Sequence, residues 1–161
     1  ETPFGPIRFY SIHLDHRSAD ERLMQVRHLM QQVLGYPLMG GGLTGLSELG
    51  FPEPPHPEAF MLLGDFNMLP HGNEYAEICG TLDHEFGLTL IADKGVDAAL
   101  LVEDNPAPTC VYFDAPDDES LMKRIDYGFV SAGLAHLVRG HHVDRAARGS
   151  DHKPIFFELS A

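Results

Sequence analysis

Apolar residues along the chain fall into one long periodic stretch and several short dense runs. The periodic stretch follows Ser18: Leu23, Val26, Leu29, Met30, Val33 and Leu34 recur at helical spacing up to Gly35. Ser18 with Glu21 three residues on forms a capping-box pattern, which predicts a helix start and an amphipathic helix covering a sheet. The dense runs read as strands. IRFYSIHL (7–14) is rich in β-branched and aromatic residues. AFMLLGDF (59–66) is unbroken enough to predict burial on both faces, as in an internal strand. TCVYFD (109–114), RIDYGFVS (124–131), LVRGHHVD (137–144) and KPIFFEL (153–159) complete the predicted strands, and a short helix is expected around Glu74–Thr81. The apolar segment LTLIAD (88–93) carries no clear period. Residues 36–58, crowded with Gly and Pro, read as a long loop, either a surface insertion or a substrate-contacting flap.

The order strand, helix, strand, short helix and several strands predicts an α/β or α+β sheet layered with helices, in one domain spanning 1–161. The run LLGDFN raises a local question. A strand sends alternate side chains to opposite faces, so Asp65 and Asn67 would share one face while Phe66 points to the other. Such a strand would deliver two polar groups to one site.

Composition narrows the function. The net charge of −13 at pH 7 argues against a protein that holds nucleic acid by broad phosphate neutralisation. It leaves a phosphodiester substrate open, because a bound divalent cation supplies positive charge locally. Clustered carboxylates suit a hard cation. Cys79 and Cys110 are too few for a disulfide framework and read as ordinary packed thiols. No apolar stretch has the length of a membrane span, so the chain reads as soluble, with the cytoplasm as the default compartment. It opens without an initiator Met and enters a strand almost at once, the pattern of a fragment or processed chain.

Three polar clusters close apolar strands: GDFN, RIDY and GSDHKP. Taken singly, Asp65 could be a turn acceptor, Asp126 a salt-bridge partner of Arg124, and His152 a surface histidine. Ser150, Asp151 and His152 are adjacent and cannot form a serine hydrolase relay, and the chain contains no G-x-S-x-G elbow. Zinc-hydrolase spacing is missing too, since no H-E-x-x-H occurs.

LLGDFN, RIDYGFVS and GSDHKPIFFEL, with SIHLDHR upstream, resemble in order the motifs of the endonuclease/exonuclease/phosphatase superfamily, metal-dependent phosphoesterases that include deoxyribonuclease I. The resemblance implies the C-terminal portion of a four-layer sandwich of the deoxyribonuclease I-like type. It implies that Asp65 orients or deprotonates the attacking water and that Asn67 hydrogen-bonds a phosphate oxygen. His152 would contact the scissile phosphate, Asp126 would hold His152, and His13 would help protonate the leaving oxygen. Asp151, with Asp65, would bind Mg2+ or Mn2+. The substrate class is a phosphate ester, with nucleic acid possible but not favoured by the charge.

The family pattern also places an Asn and a metal-binding Glu upstream of the SIHL position, and this sequence contains neither. The resemblance therefore implies weak metal affinity. It further implies an apolar sheet surface covered by a second copy of the chain or by an upstream segment, with a catalytically silent domain used for binding or assembly as the alternative.

Overall fold

Residues 2–40, 55–81, 83–87, 91–112 and 114–161 are described by the computed structural model. Strands β1 (Arg8–His13), β2 (Phe60–Asp65), β3 (Gly95–Asp97) and β4 (Asp126–Ser131) form a sheet in the order β1-β2-β4-β3, and β5 (Val138–Val143) pairs antiparallel with β6 (Ile155–Leu159). β1 and β2 are parallel and are joined through helix α1 (Ala19–Met39), the crossover that parallel neighbours need. β4 runs antiparallel to both β2 and β3.

The internal position of β2 accounts for its apolar run. Phe60 and Leu62 face the helices, packing with Val26, Met30 and Val33 of α1, and with Tyr75 and Ile78 of the short helix α2 (Asn73–Cys79). Met61 faces the other way and packs with Val130, Leu137 and Val138, against which Phe157 and Leu159 of β6 also lie. The described layers are therefore helices, four-stranded sheet, two-stranded sheet. A Cβ on Gly128 would collide with the Phe157 ring, so a glycine in β4 lets the second sheet approach. Beside this contact, among the described residues, an apolar groove lined by Phe9, Met61, Leu63 and Phe156 runs up to Asp126, and Phe9 and Phe156 are 58% and 56% exposed. Among the described residues no helix is long and apolar enough to cross a membrane.

Several local expectations change. Ser18 does cap α1, its hydroxyl accepting the Glu21 N–H at 3.2 Å. The helix, however, runs past Gly35 and through Pro37 to Met39, into the region 36–58 read as loop. Pro37 has no N–H for the Val33 carbonyl, and Arg8 fills that vacancy from β1 by donating Nη1 to Val33 O at 2.6 Å. Residues 41–54 of that region lie outside the described residues; 55–58 carry no regular structure. The described residues of TCVYFD form no named strand: Cys110 and Tyr112 make isolated bridges, and residue 113 lies outside the described residues. A three-residue strand, β3, lies instead at Gly95–Asp97. Of LTLIAD, 88–90 lie outside the described residues and 91–93 are irregular.

Candidate active site

The register of the sheet aligns three of the candidate residues. His13 pairs with Asp65 across β1 and β2, and Asp65 pairs with Asp126 across β2 and β4, so the three occupy one row at the end of three adjacent strands. His152, far along the chain, is brought to the same row by a short backbone ladder. Cys110 bridges Lys123 on one side and His152 on the other, Val111 N–H donates to Asp151 O at 2.9 Å, and Lys153 N–H donates to Thr109 O at 2.7 Å.

In LLGDFN, strand alternation does not extend to the last residue. β2 ends at Asp65, and Asn67 adopts a positive φ of 49°, so it is turned toward Asp65 by a left-handed residue and not by strand alternation. Asn tolerates this conformation because its short polar side chain bonds locally. Its N–H donates to Asp65 Oδ1 at 2.8 Å, and its Nδ2 donates to Asp65 Oδ2 at 3.1 Å and to Leu14 O at 2.9 Å. The backbone N–H and one side-chain amide hydrogen thus hold Asp65 in place, while the other amide hydrogen ties the turn to Leu14. Phe66 does point the other way, fully buried beside Tyr127 and Phe129.

Gly64 is required just ahead of this turn. Its φ is 138°, and a Cβ there would run into the Ile12 carbonyl of β1. Gly64→Ala is expected to destabilise the fold by about 1–3 kcal/mol or more, since strain and backbone overlap act together. Urea unfolding checks this, and an unchanged midpoint would contradict it.

At the centre of the site, His152 Nδ1 lies 3.0 Å from both Asp126 carboxylate oxygens. Its Nε2 lies 3.9 Å from Asp65 Oδ2, and His13 Nε2 lies 3.7 Å from the same oxygen. Arg124 is not the partner of Asp126; it forms a buried two-point pair with Asp97. Thr109 holds Asp126 instead: its hydroxyl donates to Asp126 Oδ2 at 2.7 Å and accepts the N–H groups of Asp126 and Ile125. Nothing in the sequence marked Thr109, which lies in a segment read as an ordinary strand.

Burial works against a charge on His152. The hydrogen bond and charge of Asp126, aided by Asp65 and Asp151, outweigh it and raise the imidazole above its usual 6.5. Asp126 is itself held above the ordinary carboxyl value, chiefly by burial and despite its bonds to Thr109 and His152. The gain of the ring governs the pair, because two carboxylate oxygens at 3.0 Å from one nitrogen suit an imidazolium. A raised folded-state pKa gives stability that is full below the unfolded value and is lost as pH rises through the folded one. Asp126→Asn is therefore expected to lower the His152 titration midpoint. Proton NMR of the imidazole CH signals would show this, and a midpoint that did not fall would refute the pairing.

The donor chemistry fits a hard divalent cation in part. Asp65, Asp126 and His152 present ligand atoms within 4.8 Å of one another, as do Cys110, Asp151 and His152. Asp126 is already engaged by Thr109 and His152, and the two carboxylates read from the sequence as metal ligands, Asp65 and Asp151, fall in different groups that share only His152. One or two carboxylates, with waters and substrate phosphate oxygens, are a usual set for Mg2+.

The strand ends of this mixed α/β sandwich thus carry a carboxylate-held histidine beside a second carboxylate. The chain belongs to the Endonuclease/Exonuclease/phosphatase family, whose model matches residues 32–152. Its fold is that of solved members. It resembles the 3′ phosphatase NExo from Neisseria bound to a product DNA hairpin, with 20% identity over 96% of this chain and 62% of that one and a TM-score of 0.64. The mannosyl-6-phosphatase of Bacteroides thetaiotaomicron aligns at 21% identity over 95% of this chain and 51% of that one, TM-score 0.57. The catalytic domain of Xenopus laevis APE2 aligns at 19% identity over 94% and 49%, TM-score 0.54. The chain thus spans about half to three-fifths of these neighbours' lengths. No curated protein sequence matches it significantly.

Proposed function

We propose that this chain carries the water-activating and phosphate-binding side of a divalent-metal-dependent phosphoesterase centre. The observation that carries the reading is the row His13–Asp65–Asp126 with His152 held on Asp126 at 3.0 Å. Asp65, fixed by Asn67, is placed to accept a proton from an attacking water. His152, whose cationic form Asp126 favours, neutralises charge that builds on the phosphate oxygens in the transition state. His13, three-quarters exposed beside Asp65, can donate to the leaving oxygen. Asn67 acts here by holding Asp65; a direct phosphate contact would require it to release one amide hydrogen.

The acidic surroundings repel a phosphate, so a cation is needed. When bound, Mg2+ or Mn2+ held by Asp65 and Asp151 would supply charge neutralisation and substrate orientation. The net charge of −13 favours small phosphate esters over long nucleic acids as substrates.

The apolar groove beside Asp126 supports a further part of the reading. We place there the remainder of a family domain of the neighbours' length, and activity of this chain alone is expected to be low. The test is hydrolysis of bis-p-nitrophenyl phosphate and p-nitrophenyl phosphate with and without Mg2+, for this chain and for a version extended upstream to that length. Metal-dependent turnover that rises on extension is expected. No turnover in either form would favour the silent, binding reading, which the apolar groove also suits. A stable dimer in light scattering would show that a second copy covers the groove.

A further inference from the structure

Among the described residues, Cys110 adjoins the site without a role in the proposed chemistry. Its sulfur, an Asp151 carboxylate oxygen and a His152 imidazole nitrogen lie within 4.8 Å of one another. This proximity is built by the backbone. Cys110 and Lys123 exchange N–H to carbonyl bonds of 2.9 Å in both directions, while the next residue, Val111, donates to Asp151 O. Cys110 and His152 are therefore bridged partners on neighbouring extended segments.

We propose that Cys110, Asp151 and His152 form a binding site for a thiophilic divalent transition metal such as Zn2+, which competes with the hard cation of the phosphoesterase centre. Sulfur, nitrogen and oxygen in one set suit Zn2+, whereas Mg2+ avoids thiolate. Three protein ligands with a fourth position left to water make a familiar open zinc site. The histidine is also prepared in the way metal-bound histidines are: its Nδ1 is engaged by the Asp126 carboxylate, which leaves Nε2 for a ligand. Binding replaces the thiol proton, which passes to solvent, so the ion acquires one thiolate and one carboxylate. Because Asp151 is the proposed hard-cation ligand and His152 the proposed phosphate-binding residue, occupation by Zn2+ removes both from the phosphoesterase centre together.

The metal site stands on geometry alone; its inhibitory consequence rests on the proposed phosphoesterase reading, and two measurements separate them. Co2+ is titrated into the chain as a spectroscopic stand-in for Zn2+. A near-ultraviolet thiolate-to-cobalt absorption is expected, lost in both Cys110→Ser and Cys110→Ala and retained in Cys79→Ala, with folding of each variant checked by circular dichroism. Losing even an outer-shell partner weakens metal binding about 10–100-fold, so loss of the thiolate is expected to weaken Zn2+ competition against Co2+ at least that much. Absence of the band, its survival in the Cys110 variants, or affinity unchanged in Asp151→Asn would overturn the site. In the hydrolysis assay with excess Mg2+, Zn2+ is expected to inhibit, and Cys110→Ser to keep the basal rate while relieving inhibition at least tenfold. A cobalt band without zinc inhibition would leave the site standing and remove the competing role. If no hydrolysis is found at all, the spectrum still decides the site.

Discussion

His152→Ala is expected to lower metal-dependent turnover by roughly 10²–10⁴-fold, the range spanned by positioned acid, base and charge-stabilising groups. The fold should survive, because the side chain is about one-third exposed and lies outside both hydrophobic clusters. Asp126→Asn keeps the shape of the carboxylate but removes its charge, so the ring is no longer favoured as imidazolium. Turnover is then expected to fall at the alkaline end of the pH profile first, since the cationic form is lost as pH rises through a pKa that is now lower. In the double variant the two losses should not add. Residues that act as one unit fail together, and a double-mutant cycle with strictly additive losses would show that Asp126 and His152 act separately.

That pair also marks what the sequence made legible. GDFN, RIDY and GSDHKP each carry a polar group at a strand end, and the ordered resemblance united them although Asp126 and His152 are 26 residues apart. Periodicity was sufficient for α1 and dense apolar runs for β1, β2, β4, β5 and β6, because those signals are long or strong. The misses share a different origin: each depends on a partner remote in sequence. α1 continues through Pro37 because Arg8 takes the Val33 carbonyl, a bond between residues 25 apart. Gly95–Asp97 is too short to carry a pattern and is a strand only because β4 lies beside it. Asn67 leaves the strand because its side chain and N–H close on Asp65, and Thr109 matters only because the chain folds it under Asp126. Local chemistry therefore flagged residues that the fold brings together, while tertiary contacts determined how each side chain is held there.

Asp97→Ala is expected to be the most destabilising of these substitutions, by about 3–5 kcal/mol, the usual cost of leaving one member of a buried ion pair uncompensated. Asp97 is fully buried; its oxygens accept from Arg124 Nη2 at 2.6 Å and Nη1 at 2.8 Å, and from the Tyr75 hydroxyl at 2.8 Å. Arg124 is itself buried at 8% exposure and lies over the Tyr127 ring, so removing the carboxylate leaves a guanidinium charge uncompensated in the interior. The network ties α2, β3 and the entry to β4 together, and Tyr127 adds a hydroxyl bond to the Arg124 carbonyl at 2.9 Å. Asp126 begins β4 two residues after Arg124, so the backbone that presents it is held from both sides. Unfolding measurements should therefore show a large loss for Asp97→Ala and a substantially smaller one for the pair Asp97→Leu with Arg124→Met, which removes both charges. If the double variant is as unstable as the single one, the cost lies in packing and not in an orphaned charge. If the double variant regains stability yet leaves the His152 titration midpoint lowered, then the buried pair also fixes the position of Asp126 against His152.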